Sequence, residues 1–334
     1  MIEIKNVTKK YGDFVAVNNI SFQVKDREIV GFLGPNGAGK TTTMNMITGF
    51  IEPTKGEIII NGNDISKKPK KAKREIGYMP ENVPLYLDLT PREFVRYMAE
   101  LKYVPRKERK KEVERVLEEI GLLEVQNKLI RNLSRGYKQR VSMAGAIVGN
   151  PDVLILDEPT VGLDPKQITE IRNLIKSLGK NHTVILSSHI LSEVSQICEK
   201  VVIINKGKIV AIDTPQKLEN ATKDDNSVIV TVEDKDNNMK KIKENIKEVK
   251  EIEHIVDNED GTKQYRVVAE SDIDIRRKLF EELPKNNITI FELKKSETTL
   301  EDAFLRLIDK DVNIQEDNEK IKKEKKKKGK GGKK

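Results

Sequence analysis

The sequence predicts an α/β chain. Its core is a mostly parallel sheet, interrupted by a helical insertion at about residues 85–150 and followed by a smaller α+β domain. Three observations predict this. The runs "DVLILDEPT" and "TVILSSH" are apolar strands of the kind buried on both faces of a parallel sheet. They alternate with helical stretches. After about residue 222 the pattern of strands and helices restarts, and two domains are the natural reading of 334 residues.

Taken in order, residues 2–8 and 20–24 read as strands, with "KKYGDFVAVNN" between them. "EIVGFLG" (28–34) is a short apolar strand that runs into a glycine-rich loop, and "KTTTMNMITGF" after it reads as a helix. "GEIIINGNDI" is strand and turn, and "REIGYMPE" is a strand with a break. Residues 91–125 read as helices through "EFVRYMAEL" and "EVERVLEEIGLL". "LSRGYKQR" (133–140) then opens a further helix with a small hydroxyl residue and a glycine, an end suited to anions. "KVVIINKGKIVAID" reads as a hairpin. From 223 to 310 the order is roughly βαββαβα, ending in "TTLEDAFLRLI", which is ferredoxin-like in character.

The net charge of +8 is misplaced evidence until it is located. Residues 320–334 hold ten lysines and one glutamate, or +9, so the rest of the chain sums to −1. Residues 311–334 are expected to form a disordered basic tail, because this composition buries no core. It is read as a solubilising tail, a contact for anionic lipid, or a polyanion-binding segment. The basic runs at 67–74 and 105–111 lack interleaved aromatics and read as solvated faces, not as specific nucleic-acid sites. No apolar run approaches the 18 residues of a membrane span, and the first residues lack a signal peptide's apolar core. The single cysteine, Cys198, reads as a packing residue in a reducing, cytoplasmic setting. His182 and His254 have no ligand-spaced partners, so no structural metal is assigned.

"GPNGAGKT" (Gly34–Thr41) matches G-x-x-x-x-G-K-[ST] in full, after a strand and before a helix, which is the context this motif requires. Gly34, Pro35, Asn36, Gly37, Ala38, Gly39, Lys40, Thr41 and Thr42 are the expected nucleotide-binding residues. Backbone N–H groups close on phosphates, Lys40 reaches the β- and γ-phosphates, and the Thr41 hydroxyl ligates Mg²⁺. "VLILDE" places Asp157 at a strand's C-terminal end, where ligands bind in such sheets, to hold Mg²⁺ directly or through water. Glu158 beside it is placed to deprotonate an attacking water.

These residues resemble the nucleotide-binding subunit of ATP-binding cassette (ABC) transporters. The resemblance covers residues 1 to about 222 and rests on six ordered motifs. Tyr11 in "KKYG" stands where this family stacks an aromatic on adenine. "YMPEN" stands at the Q-loop with Glu81 in place of the usual glutamine, so a metal ligand there is a carboxylate. "LSRGYKQR" stands at the signature, with Arg135 and Tyr137 where glycine and glutamine are usual. "GLDP" (162–165) matches the D-loop and His189 in "LSSHI" the switch histidine. The resemblance implies a homodimer or heterodimer in which Ser134, Arg135, Gly136 and Asp164 of one chain complete the ATP site of the other. Glu158, His189 and Lys40 are then the catalytic set. Arg135 either adds positive charge near the partner's nucleotide or points to solvent.

"LSRGY", "GYMPEN" and "ETTLEDAFLRL" together look like the drug-resistance and gliding-type exporter ATPases. That similarity implies an ATP-hydrolysing subunit peripheral on the inner face of the cell membrane. Its permeases are separate integral membrane subunits, contacted around residues 82–100. The rival readings are a soluble cassette ATPase acting on ribosomes or DNA and a regulatory ATP-binding module. The soluble families typically carry tandem cassettes or long coiled coils, and this chain has neither.

Overall fold

The computed structural model describes residues 1–82, 84–221, 226–234, 238–270 and 274–295. The helix expected over 298–308 and the basic tail lie outside these residues. Among the described residues no helix is long and apolar enough to cross a membrane.

The chain begins with strands β1 (Ile2–Tyr11) and β2 (Phe14–Val24), then β3 (Ile29–Leu33) and α1 (Lys40–Ile47). β4 (Lys55–Ile60), β5 (Asn63–Asp64), α2 (Pro69–Arg74) and β6 (Ile76–Met79) follow. The insertion holds α3 (Pro91–Leu101), α4 (Arg109–Ile120) and α5 (Arg135–Ile147). The first unit ends with β7 (Val153–Asp157), α6 (Pro165–Gly179), β8 (Thr183–Ser188), α7 (Leu191–Ser195), β9 (Lys200–Asn205) and β10 (Lys208–Asp213). The chain divides into two compact units, one running from Met1 to Pro215 and the next beginning at Gln216, within α8 (Pro215–Ala221). One expectation fails at the start. "KKYGDFVAVNN" is not a connection between two short strands; the strands run through it and turn only at Gly12–Asp13, where Gly12 takes a φ of 57°. Glycine supplies that left-handed turn at no steric cost, so pairing continues as far as Tyr11↔Phe14.

The six-stranded sheet has the order β10-β9-β3-β8-β7-β6, parallel except for the β10 edge. β3, β7 and β8 are buried along their whole length, which is why they read as apolar runs rather than alternating ones. A four-stranded sheet, β2-β1-β4-β5, packs its apolar face into the same core. There Phe22 meets Phe32 with ring centroids 5.6 Å apart, and Met44 and Ile47 of α1 close the space. The register sets the site. Leu33 pairs with Ser188, Asp157 with Ser187 and Met79 with Leu156, so the C-terminal ends of β3, β8, β7 and β6 lie level along one edge.

In the insertion, α3 opens on a full capping box. Thr90 accepts from the Glu93 N–H while the Glu93 carboxylate accepts from the Thr90 N–H, an arrangement worth about 1 kcal/mol. Phe94 and Val95 are buried, while Tyr97 and Leu101 of the same helix stay exposed. α4 buries Val113, Val116, Leu117 and Ile120 at helical spacing.

The second unit contains β11 (Asn226–Glu233), α9 (Met239–Asn245), β12 (Val249–Asp257), β13 (Lys263–Ala269), α10 (Arg276–Glu282) and β14 (Thr289–Lys295). Its antiparallel sheet has the order β12-β13-β11-β14. This is the split βαβ arrangement of a ferredoxin-like domain. Val228, Val230 and Val267 pack against Ile242 and Leu279 from the two helices in a core of their own.

Candidate functional site

The loop from Gly34 to Gly39 turns β3 into α1. Gly39 takes a φ of 107°, and a Cβ there would lie 2.8 Å from the carbonyl oxygen of Ala16, so a side chain is excluded twice over. Ala38 is buried and its carbonyl accepts from Gly207, which anchors the loop to the β9–β10 turn. Lys40 is buried. Its ammonium donates to the carbonyls of Gly34 at 2.9 Å and Pro35 at 3.5 Å, and stands 3.6 Å from the Glu158 carboxylate. The cation is therefore folded back under its own loop, in reach of both the phosphate cradle and the acid.

Asp157 and Glu158 emerge together from β7, but they point to different partners. Asp157 accepts from the Ser187 hydroxyl, and its other carboxylate oxygen is buried with no hydrogen-bond partner. Burial pushes its carboxyl up from the ordinary range and the neighbouring Glu158 adds to this, while Ser187, Thr41 and Lys40 pull it back. A buried carboxylate with one oxygen free of a protein hydrogen bond, near enough to Thr41 for the hydroxyl to act on its titration, is a donor set that fits a divalent cation. Glu158 takes a φ of 50°, a left-handed conformation uncommon for a residue with a side chain. Two bonds hold it there: its N–H donates to the Ser187 carbonyl at 3.2 Å and hydroxyl at 3.1 Å. The turn aims the Glu158 carboxylate away from Asp157, between Lys40 and His189, whose Nδ1 stands 2.9 Å from it.

Lys40, Glu158 and His189 open on one cleft of about 440 Å³, whose lining does not include Asp157. It is lined by Asn36, Gly37, Gly39, Lys40, Thr41, Thr42, Glu81, Glu158 and His189, together with Phe14, Ala16 and Val161. The structure thus brings together the glycine-rich loop, Glu158 after the end of β7, Glu81 and His189. Tyr11 is not among the lining residues. It pairs across the hairpin with Phe14 and carries the Lys9 ammonium 5.2 Å over its ring. Phe14 was not singled out in the sequence, because nothing distinguishes it from a strand aromatic until the turn at Gly12 brings it to the cleft.

A second cleft, of about 430 Å³, shares no residue with the first. It gathers Ser134, Gly136, Tyr137, Asp164 and Gln167. Ser134 caps α5 by accepting from the Tyr137 N–H at 3.4 Å, and Asp164 caps α6 by accepting from Gln167 at 2.9 Å. Two helix N-termini therefore face one groove, and the dipole of each favours an anion there. Arg135 is turned toward its own chain: a Cβ on Gly162 would lie 2.2 Å from its guanidinium carbon, so the cation lies flat on the D-loop backbone. Among the described residues no carboxylate pairs with it. Gln139 of α5 donates to the Pro159 carbonyl at 2.7 Å, and Thr160 shares a short buried hydrogen bond with Glu193 of α7. The segment after Glu158 is thereby tied to α5 on one side and α7 on the other.

Ser187, Gln139 and Glu193 were missed by sequence reasoning. Only Ser187 leaves a signal, the change from "TVIL" to "SS" at the strand end that pairs with Asp157. Cys198 is buried, and burial pushes its thiol up, which suits a packing residue. His182 is buried with Nδ1 2.6 Å from the Pro151 carbonyl, and His254 pairs with Asp257.

Known proteins resemble this chain over most of its length. Residues 17–161 match the family model described as "ABC transporter". The chain is 36% identical over 318 residues to the bacitracin transport ATP-binding protein BcrA of Bacillus licheniformis, covering 92% of this chain and 97% of that one. It is 39% identical over 219 residues to the linearmycin resistance ATP-binding protein LnrL of Bacillus subtilis, covering 65% and 70%. Among solved structures, cbiO1 of Clostridium perfringens, part of the cbiONQ transporter complex, superposes with a TM-score of 0.62 at 30% identity over 66% of this chain and 91% of its own. The MJ0796 cassette, solved as a dimer in a post-hydrolysis state with ADP and Pi, gives 0.58 at 30% identity over 64% and 98%.

Proposed function

The chain belongs to the ATP-binding subunits of ABC transporters and is the ATPase of such a transporter, and from that premise we propose that two copies, or this chain and a related one, bind ATP between them. One observation carries the reading: Lys40, Glu158 and His189 line one cleft, while Ser134, Gly136 and Asp164 line another. Each chain then offers half of a site at one place and the complementary half at the other. In this arrangement the loop Gly34–Thr42 holds the phosphates and Lys40 reaches the terminal ones. The capped end of α5 closes on the γ-phosphate held by the partner. The hairpin supplies the aromatic for adenine: Phe14 lines the cleft, and Tyr11, expected in that role, stands beside it across the turn.

Hydrolysis is the work of Glu158 as general base, taking the proton of the attacking water while His189, 2.9 Å away, fixes its orientation. Lys40 offsets the charge that develops on the phosphate oxygens. Thr41, Asp157 and Glu81 are the residues that would hold Mg²⁺, and the unpartnered Asp157 oxygen supports that assignment. When bound, the ion neutralises charge on the β- and γ-phosphates. Arg135, lying on Gly162, adds positive charge beside the nucleotide across the interface.

We read the transporter as an exporter of a drug-like compound, in keeping with the names of the bacitracin and linearmycin relatives. Its permeases are separate membrane proteins. The exposed Tyr86, Leu87, Tyr97 and Leu101 around α3 support a permease contact at residues 82–100. The chain then sits on the cytoplasmic face of the membrane. Affinity purification from detergent-solubilised membranes is expected to recover a multi-helix membrane protein with this chain. Recovery of ribosomes or DNA instead would place it among the soluble cassette ATPases.

The lysine-rich residues 320–334 contact anionic lipid in this reading, each lysine worth at best about 1 kcal/mol at the membrane surface. Deleting them is expected to lower sedimentation with anionic vesicles severalfold, with ATPase activity and melting temperature unchanged. Equal sedimentation of the truncated and intact chains would return the tail to a solubilising role.

A further inference from the structure

A second basic feature lies within the fold. α2 turns only Ala72 inward, so Lys68, Lys70, Lys71, Lys73 and Arg74 are all exposed. Lys67 is already committed to Glu57 at 3.1 Å and Asp64 at 2.9 Å. The other five cations have no ion-pair partner among the described residues, and Glu75, which follows them, is engaged with Asn61 and Asp152. The Lys73 stem runs against Gly49, where a Cβ would meet its Cε at 2.8 Å. The next residue, Phe50, is 78% exposed. An unpaired cationic helix is thus set beside an uncovered aromatic ring. The cluster sits at the C-terminal end of α1, a helix of eight residues that begins at Lys40, which places it about 12 Å of helix away from the nucleotide cleft.

We propose that α2 and Phe50 form a membrane-surface contact, with the five cations on anionic phospholipid headgroups and the Phe50 ring at the headgroup level. Aromatic rings and lysines favour this boundary for complementary reasons, one for its mixed polarity and the other for its negative potential. A single aromatic among cations argues for a lipid surface over single-stranded nucleic acid, which calls for successive stacking platforms. The contact is separate from the lysine tail. It draws on the transporter reading only for the presence of a bilayer.

The test uses the full chain, which contains no tryptophan. Phe50→Trp therefore provides one fluorophore at the contact, blind to the tail. The protein is titrated with vesicles of phosphatidylcholine alone and with an equimolar phosphatidylcholine–phosphatidylglycerol mixture carrying brominated acyl chains. The expected result is a blue shift and bromine quenching on the anionic vesicles alone, weakening as salt rises because screening acts within about 10 Å. Adding Lys70→Glu, Lys71→Glu and Arg74→Glu should reduce that apparent affinity at least tenfold with ATPase activity unchanged, and neutral glutamines should give an intermediate loss. ATPase activity also reports that the variants are folded; should Phe50→Trp lose it, vesicle sedimentation of the chain without residues 320–334, with and without the three charge reversals, makes the same comparison. Three results would overturn the proposal: no spectral response while the chain still sediments through its tail, equal quenching in the charge-reversed variant, or a response to single-stranded RNA and none to vesicles.

Discussion

Glu158→Gln is expected to bind ATP with near-normal affinity and to hydrolyse it about 10²–10⁴-fold more slowly, the usual contribution of a positioned base. The amide has almost the shape of the carboxylate, so the backbone bonds from the Glu158 N–H to Ser187 are untouched and the turn at φ 50° persists. The contacts that change are the side-chain ones. The 3.6 Å ion pair with Lys40 is lost, and the 2.9 Å contact with His189 becomes a neutral hydrogen bond. Lys40 keeps its bonds to the Gly34 and Pro35 carbonyls, so its place under the phosphate loop does not depend on Glu158. With hydrolysis blocked, the variant should accumulate as an ATP-dependent dimer in size-exclusion chromatography. Near-wild-type turnover would remove Glu158 from the role of base.

The second large effect is expected at the other cleft. Ser134→Arg removes the cap of α5, a loss of about 1 kcal/mol locally, and puts a bulky cation in the groove between α5 and α6 that we propose receives the partner's phosphate. Hydrolysis should fall about 100-fold or more, the scale seen when a preorganised donor to a developing charge is lost. ATP binding by the single chain should stay close to wild type, because no residue of this groove lines the Lys40 cleft. Equilibrium binding of a fluorescent ATP analogue at low protein concentration, beside steady-state turnover, separates the two effects.

Much of this was legible because the chemistry imposes the sequence. A loop that closes on phosphate needs glycines at left-handed positions, so Gly37 and Gly39 show in the letters. A strand buried on both faces must be apolar, so Asp157 at the end of "VLIL" stands out against it. What was not legible lies where a neutral-looking residue is put to use by the register of another strand. Ser187 is an ordinary strand serine until pairing sets it opposite Asp157, where one side chain serves both acids. Glu158 carries a backbone conformation normally left to glycine, and only the Ser187 bonds explain why. Arg135 was open between the partner's nucleotide and solvent; packing against a glycine that has no side chain to repel it turns it onto the D-loop. The reach of β1 and β2 to Tyr11 and Phe14 was hidden because a two-residue turn at Gly12–Asp13 leaves so short a mark.

The central claim is that each ATP is hydrolysed between one chain's Lys40 cleft and another chain's Ser134 groove. Mixing Ser134→Arg chains with Lys40→Ala chains tests it most directly, since neither alone should turn over ATP. In a mixed dimer the intact loop of the first meets the intact signature of the second, and the remaining site is doubly blocked. Random pairing makes half the dimers mixed with one working site each, so activity of about a quarter of wild type should appear on mixing if the sites act independently. A mixture that stays at the background of its separate chains, together with monomer ATP binding weakened by Ser134→Arg as severely as by Lys40→Ala, would mean that the signature serves its own chain and would contradict the account.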